Sequence, residues 1–113
     1  MSYHENLRIK ADLFAHKVYK VTKSFPKDEM YGLTSQLRRA SVSVVLNSIE
    51  GYARFKTKVH KNFTEIAYGS LQESKYLINF CHQESLIQDS DYKELTNLGE
   101  EIGAMLWGII RKL

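Results

Sequence analysis

Two groups of side chains in this sequence have the types and spacing to do chemistry. The first is a polar line inside an apolar stretch: Arg39, Ser43, Asn47 and Glu50 recur at steps of four, four and three. On a helix these positions stack along one stripe. Glu73, on a later segment beside Ser70, shares that side and could meet the line. Glu50 and Glu73 would be the carboxylate pair of an acid–base site. No nucleophile, metal-ligand cluster or phosphate loop accompanies them, so the structural reading is favoured, a polar network in which Arg39 pairs with Glu73 or Glu50. Such a pair sets register more than stability, because desolvation offsets most of the Coulomb gain.

The second group is a mix of rings and cations. Tyr52 and Phe55 stand among Arg54, Lys56, Lys58, His60 and Lys61. Rings stack on unpaired bases and cations neutralise phosphates, so this combination suits single-stranded nucleic acid or RNA loops. The same residues also describe a solvated connection between helices. Lys10, Lys17 and Lys20 on an earlier segment would extend the basic surface.

Other chemistry finds less support. His4, His16, His60 and His82 include no pair at the four-residue spacing of a helical metal site and no HExxH, so no metal is expected. His82 beside Cys81 is a weak hint, since adjacent helical residues diverge by about 100°. Cys81 reads as a small core residue. The six glycines form no phosphate-cradling pattern, and no cofactor is expected. Gly99, Gly103 and Ala104, and Gly69 with Ser70, read as close helix–helix contacts.

Four helices would position these groups. Leu7, Ala11, Phe14, Val18, Val21 and Phe25 form a seam over 5–24, which Phe25-Pro26 ends. Met30, Leu33, Leu37, Ala40 and Val44 form the next over 28–52, with Gly32 as an early interruption and Gly51 as punctuation. Residues 52–61 would then connect to a third helix over 60–86, with Phe63, Ile66, Ala67, Ser70, Leu77 and Cys81 inside. A polar break at 85–90 precedes a fourth over 90–112, with Leu95, Leu98, Ile102, Met105 and Ile109 inside. No stretch alternates with period two. The reading is all-α: one domain, 1–113, folded as an antiparallel up-down-up-down four-helix bundle.

The second helix carries an additional feature. Val42, Leu46, Ile49 and Ala53 lie nearly opposite the inward face. An outer helix of a monomeric bundle needs one apolar stripe. A second stripe points to a neighbouring subunit, with Val42, Leu46 and Ile49 at a homo-oligomer interface.

Length and charge bound the rest. At 113 residues, 43% of them hydrophobic, the chain can build a core without disulfides. The lone cysteine points to a reducing, cytoplasmic setting. No apolar run reaches the ~18–20 residues of a membrane span, so no membrane partner is expected. The net charge of +3 divides unevenly: residues 1–24 carry +3, 25–61 carry +4 and 62–113 carry −4. A basic half beside an acidic half can pack against itself or present a basic surface to an anionic partner.

The residues from Phe25 onward also carry a resemblance. Phe25-Pro26, Glu29, Gly32-Leu33-Thr34-Ser35-Gln36-Leu37-Arg38-Arg39-Ala40, Ser43, Asn47 and Ile49-Glu50-Gly51-Tyr52, followed by Ala67-Tyr68-Gly69-Ser70-Leu71-Gln72-Glu73, resemble the four helix bundle protein family, also called the ribosomal RNA intervening-sequence protein family. The likeness covers nearly the whole chain. Where the family often has a proline between the Ser and Asn of the first motif, this chain has Val44-Val45-Leu46. The resemblance implies small antiparallel bundles whose relatives form homopentamers, some encoded within large-subunit ribosomal RNA genes. A related group serves diversity-generating retroelements as a nucleic-acid-binding accessory to a reverse transcriptase. It also implies that Arg39, Asn47, Glu50 and Glu73 are architectural. The combined expectation is a non-enzymatic oligomer that binds RNA or DNA through Arg54, Lys56, Lys58 and Lys61, then Lys10, Lys17 and Lys20. A scaffold that recruits another protein is the alternative.

Overall fold

The computed structural model describes residues 2–113. Among them are four α-helices and no strand: α1 (Tyr3–Thr22), α2 (Ser35–Tyr52), α3 (Thr57–Gln83) and α4 (Asp89–Lys112). The 27 residues of α3 span about 40 Å at 1.5 Å each, close to the 43 Å length of the molecule. Each helix packs on its two neighbours in chain order, and α4 closes back onto α1. Cross-links between helices show that α1 runs antiparallel to both of its neighbours. The Tyr3 hydroxyl, at the start of α1, donates to the Met105 carbonyl near the end of α4 (2.9 Å). The Arg38 Nε, early in α2, donates to Thr22 Oγ1 at the end of α1 (2.9 Å).

The inward seams match the periodicity. Leu7, Ala11, Phe14, Val18 and Val21 meet Leu37 and Val44, then Ala67, Leu71, Leu77 and Cys81, then Leu95, Ile102, Leu106 and Ile109. No buried side-chain nitrogen or oxygen among the described residues lacks a hydrogen-bond partner. Thr22, Ser74 and Thr64 are buried by returning their hydroxyls to the carbonyls of Val18, Ser70 and His60.

The helix ends depart from the sequence reading in informative ways. The first helix begins at Tyr3 because the Ser2 hydroxyl accepts the Glu5 N–H (3.1 Å) and caps it. The segment before α2 is not one continuous helix. A 3-10 turn (Lys27–Glu29) leads into a wide π turn (Met30–Thr34), broken at Gly32 (φ −110°, ψ −109°). This change of pitch swings Met30, expected on the inner face, out to solvent. The third helix starts at Thr57, so the α2–α3 connection is only residues 53–56, and Lys58 and Lys61 lie on the helix. Ile66, expected inside, is exposed.

Gly51 does not punctuate α2. It lies in the last turn, where an added Cβ would sit 3.2 Å from the His60 carbonyl, His60 Cδ2 and Thr64 Oγ1. Its smallness lets α2 and α3 close together. Gly99 and Gly103 do sit at helix contacts, facing Lys75 with Phe14 and Leu71 respectively, whereas Gly69 faces open space.

Candidate functional site

The ring-and-cation group forms one corner of the bundle. Arg54 turns back to Glu50 (2.6 Å), and its guanidinium covers the Phe63 ring 5.0 Å away. Phe55 is fully exposed. Lys56 occupies the N-cap position of α3 in an extended conformation, its side chain caps nothing, and no acid lies in the first turn of the helix. Lys56, Lys58 and Lys61 form no ion pair among the described residues. Lysines at the positive end of a helix dipole oppose it, so this corner concentrates uncompensated positive charge.

Neighbouring chain ends add to the corner. The His4 ring, from α1, stacks on Tyr52 with centroids 4.0 Å apart and lies 5.8 Å from the His60 ring. Burial, then repulsion from His60, holds the His4 pKa below its ordinary value. The end of α4, held by the Tyr3–Met105 bond, contributes Arg111 and Lys112. Segments 2–8, 50–65 and 105–113 together carry seven cations against three carboxylates. This net +4 exceeds the +3 of the entire chain.

The remaining cations differ. Lys10 pairs with Glu101 (2.5 Å), and the half-buried Lys17 pairs with Asp91 (2.8 Å) and Glu94 (2.9 Å). Hydrogen bonds that Lys17 donates to Asp91, then to Glu94, raise its pKa. The basic face of α1 therefore meets the acidic face of α4, which accounts for part of the uneven charge within the chain. Lys20 lies on the same side, exposed and outside any ion pair among the described residues.

The polar line is partly assembled. Asn47 Nδ2 donates to the Ser43 carbonyl and hydroxyl (2.9 Å each), and the Ser43 and Ser70 hydroxyls bond across α2 and α3 (2.8 Å). Neither Arg39–Glu73 nor Arg39–Glu50 forms an ion pair. Glu50 is taken by Arg54, and Arg39 makes only a 3.5 Å contact to Ser35 Oγ. Arg39 and Glu73 instead line opposite sides of a polar notch of about 240 Å³ with Ser43 and Ser70.

Sequence reasoning missed a larger groove, about 520 Å³, between α1, the π turn and α2. Tyr19, Met30, Tyr31, Val42 and Leu46 supply its apolar wall, and the Arg38 guanidinium lies 4.6 Å above the Tyr19 ring. Gly32 was the one available signal, as a break whose geometry the sequence does not specify. At the opposite end from the basic corner, His82 bonds Asp89 (2.7 Å) and stacks on Tyr92. Cys81 is buried, which pushes its thiol up to about 11. No group of three or more potential ligands that could hold a metal occurs among the described residues.

Of the polar line, the Ser43–Ser70 bond is thus what joins α2 to α3. A family model for the 23S rRNA-intervening sequence protein matches residues 6–108. The chain belongs to this family. The chain also shares its fold with a crystal structure from Bacteroides thetaiotaomicron VPI-5482, a protein of unknown function from the S23 ribosomal protein family. The two superpose with a TM-score of 0.89 at 20% identity, over 97% of this chain and 99% of the other. No curated protein matches the chain. No helix of the chain, among the described residues, is long and apolar enough to cross a membrane.

Proposed function

We propose that this protein is a non-enzymatic, cytoplasmic homo-oligomer that binds RNA through the α2–α3 corner. The observation that carries this reading is the start of α3. Three lysines outside any ion pair and an exposed phenylalanine surround helix amides that no side chain caps. An anion placed there relieves the repulsion and gains from the helix dipole. Phosphate satisfies the amides and lysines, and an unpaired base stacks on Phe55. The family's link to ribosomal RNA favours RNA over DNA. Several copies, five by the family resemblance, multiply a weak patch into useful avidity.

Lys10 and Lys17 drop to a minor role because α4 carboxylates already offset their charge. Arg54 is held by Glu50 and contributes through its position beside Phe63. Lys20 remains a candidate for secondary phosphate contact.

The test is fluorescence anisotropy of a labelled RNA hairpin, with duplex DNA alongside. Charge reversal at Lys56, Lys58 and Lys61 should weaken RNA binding at least tenfold, and Lys10→Glu should change it less than twofold. Equal affinity for wild type and the triple variant would exclude this corner.

The apolar groove beside Tyr31 favours a second reading, a scaffold that recruits a protein. Capture of one partner after nuclease treatment, lost on Tyr31→Ala, would support it.

A further inference from the structure

The outer surfaces of α2 and α3 each carry a seam that the bundle does not use. On α2 and its C-cap residue Ala53, Arg39, Val42, Leu46, Ile49 and Ala53 recur at steps of three, four, three and four. On α3, Ile66, Gly69, Glu73, Tyr76 and Phe80 do the same. This is the heptad spacing of helices that pack side by side in a coiled coil. The seams are open: Leu46 is 57% exposed, Ile49 46%, Ile66 43% and Tyr76 66%.

Gly69 is the decisive residue. A glycine inside a helix costs about 1 kcal/mol relative to alanine. Gly51, Gly99 and Gly103 each face a neighbouring helix closely enough to explain their smallness. A Cβ on Gly69 would meet nothing within 4 Å, although the residue sits mid-helix in α3. Nothing among the described residues accounts for it, so the close approach it permits comes from outside.

We propose that the α2 seam of one copy packs head-to-tail on the α3 seam of a second copy, with Gly69 as the hole for an aliphatic knob such as Val42 or Leu46. This rests on the oligomeric reading above and names its contact. The occupant follows from complementarity. The α2 seam supplies branched aliphatic knobs and one cation, Arg39. The α3 seam supplies a hole between larger side chains and one carboxylate, Glu73. Arg39 and Glu73 line the same notch of their own chain without pairing, so each is available to a neighbour's opposite charge. Two different surfaces meet, so every copy both gives and receives.

Mixing two variants, with mass read by sedimentation, tests this. Leu46→Asp breaks the α2 seam and Gly69→Trp fills the α3 hole; both positions are exposed, and circular dichroism checks that each variant folds. Each variant alone should run as a single copy of 13.1 kDa. Their mixture should give a 1:1 species of twice that mass, because one intact α2 seam meets one intact α3 seam and growth stops. Monomers in the mixture, or a Gly69→Trp variant that keeps the wild-type mass, would overturn the head-to-tail contact while leaving oligomerisation intact. A wild type of single-copy mass would instead remove the oligomeric reading itself, and this contact with it. Reciprocal charge exchange, Arg39→Glu with Glu73→Arg, should recover assembly that either single change weakens.

Discussion

His4 shows how one side chain links pH to the fold. Its ring stacks on Tyr52 beside His60, with Glu5 and Arg8 on its own helix and Glu50 and Arg54 near the end of α2. Its folded pKa lies below the ordinary 6.5, so the unfolded chain binds the proton more readily. Stability from this group is present above pH 6.5 and declines as pH falls through 6.5 toward the lower folded value. Between pH 7 and pH 5 the urea midpoint of wild type should fall further than that of His4→Phe, which keeps a ring but cannot titrate. Equal pH slopes would assign the acid sensitivity elsewhere. Nothing in the sequence placed His4 beside Tyr52, because residues 48 apart meet only when α1 and α2 pair. Arg54 gives the same lesson at short range: a four-residue spacing to Glu50 made their ion pair legible, yet the sequence reading used Glu50 for Arg39 instead.

Elements are decided largely at their ends. The third helix ends in a Schellman turn, in which the Leu86 N–H reaches the Cys81 carbonyl (2.8 Å) and the Ser85 N–H the His82 carbonyl (3.0 Å). Ser85 adopts φ 63° there, a conformation that favours glycine. Ser85→Gly should therefore raise stability by about 0.5–1 kcal/mol, read as a higher urea midpoint with unchanged slope. The four apolar seams needed only the 3.6-residue repeat to be recognised. The π turn at Met30–Thr34 did not follow from that repeat, since a local change of pitch leaves the residue spacing in the sequence unchanged. Ile66 misled for a related reason. It continues the inner pattern of α3 in sequence but belongs to the outer seam, and only the position of α2 shows which side is covered.

Across the whole molecule, charge serves two separate ends. Along one side, α1 lysines meet α4 carboxylates, and Lys75 meets Glu100. At one end, Lys56 and Lys58 face solvent and the half-buried Lys61 stays outside any ion pair among the described residues. These populations should separate under salt. Exposed pairs contribute about 0–1 kcal/mol each, so unfolding free energy should change little between 50 mM and 500 mM salt. RNA affinity should instead fall steeply, with a log–log slope of about −0.7 per phosphate neutralised, or roughly −2 for the three lysines of one copy. A shallow slope would mean that the corner lysines do not contact phosphate.

The sequence by itself determined the all-α bundle, the inward seams and the family, because local periodicity and motif residues are carried by the chain without reference to its neighbours. Tertiary structure alone decided which lysines stay free, which members of the polar line are joined, and that Gly69 opens onto solvent. Each of those depends on what another helix places opposite a residue, and helix pairing is set by packing of the whole core rather than by local spacing.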